Sequence, residues 1–161
     1  AAGGRLSIES ELGRGTVATL WLPPSPQALE PDLAGDPEAG LSGARVLLLD
    51  DDALVRSTTL RLLERMGAEV FASGRVESIV DRGREGGWDL LLTDVVMPAV
   101  GGAEAAARVR AVSPDIRVLF MTGYADDVLM ERGFESGQER VVRKPFSLRS
   151  LGRAVRECLD A

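Results

Sequence analysis

The chain contains no histidine among its 161 residues. Its own side chains therefore cannot use an imidazole as a general base, a metal ligand or a phosphate carrier, which excludes whole classes of enzyme. It contains one cysteine, Cys158, so no disulfide can form within the chain. A lone thiol suits a reducing cytoplasm. Its setting in "AVRECLD" predicts that it packs on a helix face.

The chain also lacks an excess of positive charge and a long apolar run. Its formal net charge is −6, which argues against a general nucleic-acid-binding protein, since such proteins usually present a basic face. We expect no signal peptide, and no apolar run in the sequence is long enough to span a bilayer. We therefore expect a cytoplasmic chain that has no nucleic-acid partner and makes no membrane contact.

A proline-rich, acidic segment, residues 23–43, divides the chain into two parts. It has little apolar periodicity, so we predict a flexible, partly extended linker. Charge changes at nearly the same place: residues 1–42 hold two arginines and six acidic residues, whereas the remainder holds 17 basic and 19 acidic residues. The five prolines of the linker lie at positions 23, 24, 26, 31 and 37.

Before this linker, the pattern of residues 1–22 indicates a β-hairpin. The segments "RLSIES" and "TVATLWL" alternate between apolar and polar residues, and "ELGRG" between them supplies two glycines for a turn. Two strands alone bury too little surface to be stable in water. We therefore expect the end of a domain whose remaining part lies outside this chain.

After the linker, residues 44–161 alternate between five predicted strands and five predicted helices. Apolar runs such as those in "ARVLLLD" and "WDLLLTD" indicate a parallel sheet covered by helices on both faces. The predicted fold class is therefore α/β, with a doubly wound five-stranded parallel sheet and, in addition, the N-terminal hairpin fragment. The predicted strands are 44–50, 68–73, 88–94, 116–122 and 139–144, and the predicted helices are 54–67, 75–85, 102–112, 126–136 and 147–160.

Polar side chains stand where four of these strands end. The carboxyl ends of the strands in an open α/β sheet form one rim at which ligands bind, so these side chains should meet in one pocket. Several aspartates in one pocket would repel one another, and a hard cation with oxygen ligands, preferably Mg²⁺, would relieve that repulsion. The side chains are Asp50, Asp51, Asp52, Asp94, Thr122 and Lys144.

This set of side chains suits phosphoryl transfer. A cation would clamp and neutralise the incoming phosphoryl group while an aspartate attacks it and forms an acyl phosphate. Lys144 offers a positive charge and Thr122 a hydroxyl to the phosphoryl oxygens. A buried, unpaired carboxylate is costly. The position of Asp94 directly after the apolar run "LLLT" is explained if Asp94 meets a metal and a phosphate at the mouth of its strand.

Four motifs in residues 44–160 resemble the receiver domain of two-component response regulators: "VLLLDDDALVR", "LLLTDVVMP", "FMTGYADD" and "VVRKPF". The resemblance implies a flavodoxin-like receiver fold in which Asp94 is the phosphoacceptor. The donor would be a phosphohistidine on a histidine kinase or on a histidine phosphotransfer protein. The implied Mg²⁺ ligands are Asp50, Asp51, Asp94 and the backbone carbonyl of Val96, with Asp51 as the direct ligand of the acidic pair.

The resemblance also makes Thr122 and Lys144 the switch residues. It implies a cis peptide bond between Lys144 and Pro145, and a peptide bond that precedes proline adopts the cis form at a low cost in free energy. One departure is Val141, three residues before the lysine, where the family often has an aromatic residue, so the usual aromatic switch is in doubt. The two positions that tune the lifetime of the phosphoryl group in the family hold Val96 and Tyr124, neither of which easily holds an attacking water.

The hairpin carries a second resemblance. The segment "GGRLSIESELGRGTVATLWLP" resembles the last glycine-rich box and the closing strands of a histidine-kinase ATPase domain. An ATPase tail at 1–22, a linker at 23–43 and a receiver at 44–161 follow the order at the C-terminal end of a hybrid sensor histidine kinase. The phosphoacceptor histidine and the upstream ATP-binding motifs are absent, so we expect no kinase machinery in this chain, although the parent kinase can be membrane-anchored.

Two other functions compete with the receiver interpretation. Asp50-x-Asp52, followed later by a threonine and a lysine, superficially resembles a haloacid-dehalogenase-like phosphatase. That family's next glycine and threonine and its late acidic pair are missing, and Asp94 would have no role. A degenerate receiver that only docks is disfavoured by the intact Asp, Thr and Lys set. The acidic run alone could also be a solvated turn in which Asp52 caps a helix.

Overall fold

The computed structural model describes residues 4–22, 40–123 and 140–161. The chain divides into two compact units, one with a two-stranded antiparallel sheet and the other with a five-stranded parallel sheet. Among the residues described, no helix combines the length and the apolar composition that a bilayer crossing requires.

The N-terminal unit contains the predicted hairpin. Strand β1 (Arg5–Glu11) pairs antiparallel with strand β2 (Gly15–Trp21). The connecting turn includes Gly13, whose φ of 84° lies in the left-handed region that glycine adopts without steric cost. The alternating pattern and the glycines of the turn therefore specify this hairpin locally.

One face of the hairpin is apolar and exposed. Leu6 lies opposite Leu20, and Ile8 lies opposite Ala18. Directly opposite residues of an antiparallel pair project to the same side, so these four side chains form one surface, which we call the hairpin face. Leu6 is 60% exposed, Ile8 64% and Leu20 60%. The hairpin therefore leaves its apolar side chains in contact with water.

The second unit contains the five predicted strands, all paired in parallel, and this confirms the predicted fold class. Their order in the sheet is β4-β3-β5-β6-β7. The chain moves from β3 outward to β4 and then returns to the other side of β3, so the strand order reverses between β3 and β5. Ligands bind at such a reversal, outside the carboxyl ends of the strands. The strands are β3 (Arg45–Leu49), β4 (Glu69–Ser73), β5 (Leu90–Asp94), β6 (Arg117–Thr122) and β7 (Arg140–Arg143).

Four helices accompany this sheet within the described residues. Side-chain caps fix two of their starts: the Asp52 carboxylate accepts hydrogen bonds from two backbone N–H groups at the start of the first helix, and Ser147 and Ser150 form a capping box at the start of the last. The predicted helix at 126–136 lies outside the described residues. The helices are α1 (Ala53–Arg65), α2 (Val76–Arg84), α3 (Gly102–Arg110) and α4 (Leu148–Leu159).

The core lies on both faces of the sheet. Alternate residues of β3 and β5 enter opposite clusters: Leu47 and Leu91 join one, while Leu48 and Leu92 join the other. All four are fully buried, because helices cover both faces. Cys158 belongs to the second cluster and is buried, which confirms its predicted role in packing.

Candidate functional site

Lys144 joins two strand ends at the carboxyl rim of the sheet. Its Nζ donates to Asp50 Oδ2 at 2.8 Å and to Asp94 Oδ2 at 3.1 Å. Asp50 follows β3, Asp94 ends β5 and Lys144 follows β7. These residues are 94 and 50 positions from the lysine in sequence and meet only because parallel strands end on one rim.

The three aspartates of the acidic run occupy three different environments. Asp50 is fully buried, its Oδ2 is paired with Lys144 and its Oδ1 accepts from the Asp52 N–H at 2.9 Å. Asp51 is exposed. The Asp52 Oδ1 accepts from the N–H groups of Leu54 at 2.8 Å and Val55 at 3.0 Å, as a helix N-cap. The solvated-turn interpretation is thus right for the cap at Asp52 and wrong for Asp50.

This division also weakens the phosphatase interpretation. That interpretation needs Asp50 and Asp52 to act as a pair on one substrate, but the Asp52 carboxylate is occupied in capping α1. The backbone N–H groups of Val55 and Leu54 accordingly lower the pKa of Asp52. Asp94, for which a phosphatase has no role, lies at the site instead.

Three carboxylates at the rim could hold a metal ion. One oxygen each from Asp50, Asp51 and Asp94 lie within 4.8 Å of one another. Oxygen donors of this kind fit a hard cation such as Mg²⁺. The predicted fourth contributor, Val96, is half-buried beside them, and its N–H approaches Asp94 Oδ1 at 3.4 Å. The donor set therefore fits the cation that the sequence suggested.

Burial and pairing have opposite effects on the charged groups of the site. Burial would lower the pKa of the Lys144 ammonium, but its hydrogen bond to Asp50 and its attraction to Asp94 outweigh burial and raise that pKa. Burial is also the largest influence on Asp50 and raises the pKa of its carboxyl, although the hydrogen bond and charge of Lys144 oppose the rise. Lys144 is thus a permanent cation near neutral pH.

Thr122 is connected to the site through the backbone. It ends β6, is fully buried, and its carbonyl oxygen accepts from the Lys144 N–H at 2.6 Å. The peptide bond between Lys144 and Pro145 is cis, which confirms the prediction. Val141, at the usual aromatic position, is half-buried in β7, and Tyr124 lies outside the described residues.

Sequence reasoning missed two residues at the rim. Arg56 Nη1 donates to the carbonyl oxygen of Asp50 at 2.6 Å. Its signal in the sequence was a basic residue on the first turn of α1, close to the acidic run. Gly102, at the start of α3, lies so close to β5 that a Cβ there would lie 2.2 Å from the Asp94 carbonyl oxygen. Its signal was the glycine pair after the Asp94 loop, which permits this approach.

A five-stranded parallel sheet with a strand-end aspartate, an acidic pair and a lysine on its carboxyl rim has the architecture of a receiver domain. Residues 46–156 match the response regulator receiver domain family. The chain therefore belongs to this family, which acts in two-component signalling.

Two curated relatives and one solved structure illustrate the similarity. Sensor kinase CckA of Brucella abortus is 34% identical over 98% of this chain and 18% of CckA. Response regulator receiver protein CpdR of the same organism is 35% identical over 73% of this chain and 98% of CpdR. The solved receiver domain of the hybrid histidine kinase CckA has a TM-score of 0.60 at 28% identity, covering 72% of this chain and 99% of that structure. The chain thus spans about a fifth of the sensor kinase.

Proposed function

We propose that this chain accepts a phosphoryl group on Asp94 from a phosphohistidine, as the receiver of a two-component phosphorelay. The donor is a histidine kinase or a histidine phosphotransfer protein. The observation that carries the proposal is the position of Lys144 Nζ, within hydrogen-bond distance of both Asp50 and Asp94. The Asp94 side chain remains 18% exposed, so a donor can approach it from the solvent.

In this proposal the Asp94 carboxylate is the nucleophile. One of its oxygens attacks the phosphorus of phosphohistidine, a P–O bond forms and the P–N bond breaks. The departing imidazole takes up a proton and leaves neutral, and Asp94 becomes an acyl phosphate. Lys144, already at 3.1 Å from Asp94 Oδ2, pairs with the oxygens of the transferred group. The sequence lacks histidine, so the donor must come from another domain or protein.

A Mg²⁺ ion at this site would supply positive charge that neutralises the phosphoryl oxygens. Asp51 and Asp94 are the proposed carboxylate ligands, with the Val96 carbonyl as a further ligand. Asp50 supports the ion less directly, because one of its oxygens is held by Lys144 and the other accepts from the Asp52 N–H. The Asp51 side chain is exposed, so its carboxylate is accessible to an ion that arrives from solvent.

Acetyl phosphate with Mg²⁺ tests the acceptor. We expect the intact mass of the wild-type chain to increase by one phosphoryl group and that of Asp94→Asn to stay unchanged. Asp115→Asn, which alters an exposed aspartate, is the matched control and should be labelled like wild type. Equal labelling of Asp94→Asn would overturn the assignment of Asp94. Sustained hydrolysis of acetyl phosphate without a stable label would favour a phosphatase, and no label at all would favour a docking module.

Thr122 and Lys144 are proposed to turn acceptance into a conformational response. The hydrogen bond from the Lys144 N–H to the Thr122 carbonyl couples β6 to β7. A charge-assisted hydrogen bond from the Thr122 hydroxyl to the phosphoryl oxygens is worth roughly 1.5–3 kcal/mol. It would shift the equilibrium between two conformations of this surface by about tenfold to a hundredfold. Thr122→Ala should still be labelled, but its amide NMR shifts on adding beryllofluoride should be reduced over residues 122–146. Shifts equal to wild type would rule out the hydroxyl as the switch.

We further infer that residues 1–22 close a histidine-kinase ATPase domain, that 23–43 are a linker and that 44–161 are the receiver of a hybrid sensor histidine kinase. Two observations support this. The CckA alignment covers 98% of the chain, whereas that of the receiver protein CpdR covers 73%. The hairpin face is exposed, as expected of strands whose domain body is absent. A phosphohistidine donor is charged from ATP, so the proposal implies a cytoplasmic location.

Nucleotide binding tests the fragment interpretation. The chain holds only the closing strands of the proposed ATPase domain, so calorimetry should detect no tight ATP binding, and radiolabelled ATP should give no autophosphorylation. Micromolar affinity for ATP would contradict the assignment of residues 1–22.

A further inference from the structure

Arg56 donates hydrogen bonds to the backbone on both sides of the Cα atom of Asp51, the proposed metal ligand. Its Nη1 donates to the carbonyl oxygen of Asp50 at 2.6 Å and to that of Asp51 at 3.3 Å. These carbonyls belong to the two peptide groups that flank the Asp51 Cα atom. One guanidinium therefore contacts both peptide planes that set the direction of the Asp51 side chain. The Asp52 N–H, bound to Asp50 Oδ1 at 2.9 Å, holds the second peptide from its other end.

The Asp51 side chain depends on this backbone for its direction. Among residues 40–123 and 140–161, no hydrogen bond or ion pair of its carboxylate is present, whereas Asp50 and Asp52 are held by Lys144 and by the α1 cap. The carboxylate nevertheless lies close enough to those of Asp50 and Asp94 to share an ion. No other contact among those residues holds this oxygen, so a shift of the Asp51 backbone would move it.

Gly74, directly after β4, provides the space for the guanidinium. A Cβ at position 74 would lie 2.9 Å from Arg56 Nη1 and 3.4 Å from the Asp50 carbonyl oxygen. The φ of Gly74 is not in the left-handed region, so space rather than backbone conformation calls for glycine here. Because Nη1 is the end of a flexible side chain, an alanine at position 74 would displace the guanidinium while leaving its charge in the protein.

We propose that Arg56, accommodated by Gly74, is a positioning residue that holds Asp51 in the geometry for binding a divalent cation. This inference rests on the proposed function, in which Asp51 is a direct Mg²⁺ ligand. The charge of Arg56 acts in the opposite direction, since a guanidinium near the site repels a cation. The positioning role predicts that removal of Arg56 weakens Mg²⁺ binding, whereas its charge alone predicts that removal strengthens it. The direction of the change in Mg²⁺ affinity therefore separates the two.

Mg²⁺ titrations of the full chain, followed by the ¹H–¹⁵N shifts of residues 50–52 and 94–96, provide the test. Loss of an outer-shell partner typically weakens metal binding about ten- to a hundredfold, and we expect about tenfold weaker binding in both Arg56→Gln and Gly74→Ala. Arg56→Lys should lie between these and wild type, because an ammonium lacks the fork of a guanidinium. Arg61→Gln, on an exposed arginine of the same helix, is the matched control and should bind Mg²⁺ like wild type.

Denaturation in EDTA separates folding from positioning. Gly74→Ala should unfold near the wild-type midpoint while binding Mg²⁺ more weakly, a combination that a purely structural role does not produce. Tighter Mg²⁺ binding in Arg56→Gln would show that charge dominates and would overturn the proposal. Wild-type affinity in Arg56→Gln and Gly74→Ala would overturn it as well. Asp51→Asn distinguishes failure of the proposed metal ligand from failure of the proposed role of Arg56. If Asp51→Asn binds Mg²⁺ like wild type, the assignment of Asp51 as a ligand fails. If Asp51→Asn alone loses Mg²⁺ affinity, only the role of Arg56 is refuted.

Discussion

The hairpin and the parallel sheet both contain strands with apolar side chains, but the surroundings of those side chains are opposite. In β1, Leu6 and Ile8 are 60% and 64% exposed, whereas Leu47 and Leu48 in β3 are both at 0%. Alternation of apolar and polar residues indicates β1, whereas a continuous apolar run indicates β3. Burial depends on whether another layer covers the strand, and in the second unit helices cover both faces of the sheet.

This difference determines where the stability of the chain resides. Burial of apolar surface contributes about 25 cal/mol per Å², so exposed leucines contribute little whatever strand they occupy. The proposed chemistry is also confined to the second unit, at the rim formed by β3, β5 and β7. We therefore expect substitutions in the hairpin and in the sheet to differ in size, and four experiments test that contrast.

The largest effect should come from the core of the sheet. Leu91→Ala removes a fully buried side chain from β5 and should lower the free energy of unfolding by about 2–5 kcal/mol, through lost burial and a cavity. Leu20→Ala makes the same change on the hairpin face and should stay within about 0.5 kcal/mol. Urea denaturation followed by circular dichroism measures both. Equal losses would mean that the hairpin face is buried in solution.

A smaller effect should separate capping from metal binding inside the second unit. Asp52→Ala removes the cap of α1 and should lower the free energy of unfolding by less than Leu91→Ala does, with little change in Mg²⁺ affinity. Asp51→Ala should weaken Mg²⁺ binding with little change in stability. Denaturation in EDTA and a Mg²⁺ titration give the two readings. If Asp52→Ala proved the more damaging to Mg²⁺ binding, the assignment of Asp51 as the ligand would be wrong.

Alkaline pH should weaken the second unit through Lys144, the only lysine in the chain. Its pKa is raised in the folded protein, so its contribution is complete below about pH 10.5 and is lost as pH rises through the raised value. Burial also raises the pKa of the Cys158 thiol, so loss of its proton at alkaline pH contributes to the slope as well. The arginine in Lys144→Arg stays charged at alkaline pH. We therefore compare wild type with Lys144→Arg, and the difference between their slopes of unfolding free energy against pH isolates the titration of Lys144. Parallel slopes would contradict the ion pair.

The smallest effect should follow removal of residues 1–39. The remaining chain keeps Gly40, whose carbonyl accepts from Arg156, and the buried Leu41. Its unfolding free energy should stay within about 0.5 kcal/mol of the full chain, and acetyl phosphate should label it equally. A larger loss would show that the N-terminal segment supports the receiver, and would sharpen where the domain boundary lies.

Local sequence patterns determined the elements of the fold. Continuous apolar runs predicted β3, β5 and β6, because a strand buried on both faces needs no polar side. The edge strands β4 and β7 carry only short apolar segments. The end of α1 was also predicted, because the helical pattern ends at Gly67, which lies beyond the C-terminus of α1 and has a φ of 90°. The candidate site followed from topology, since residues after parallel strands must share one rim.

Only the tertiary structure decided what each member of the acidic run does. Asp50, Asp51 and Asp52 are chemically identical in the sequence, yet one pairs with Lys144, one is exposed and one caps α1. The close approach of Arg56 to Gly74 was likewise not visible in the sequence, because it brings α1 next to the end of β4. Sequence periodicity encodes local conformation, but burial, charge pairing and close approach depend on neighbours that arrive from distant parts of the chain.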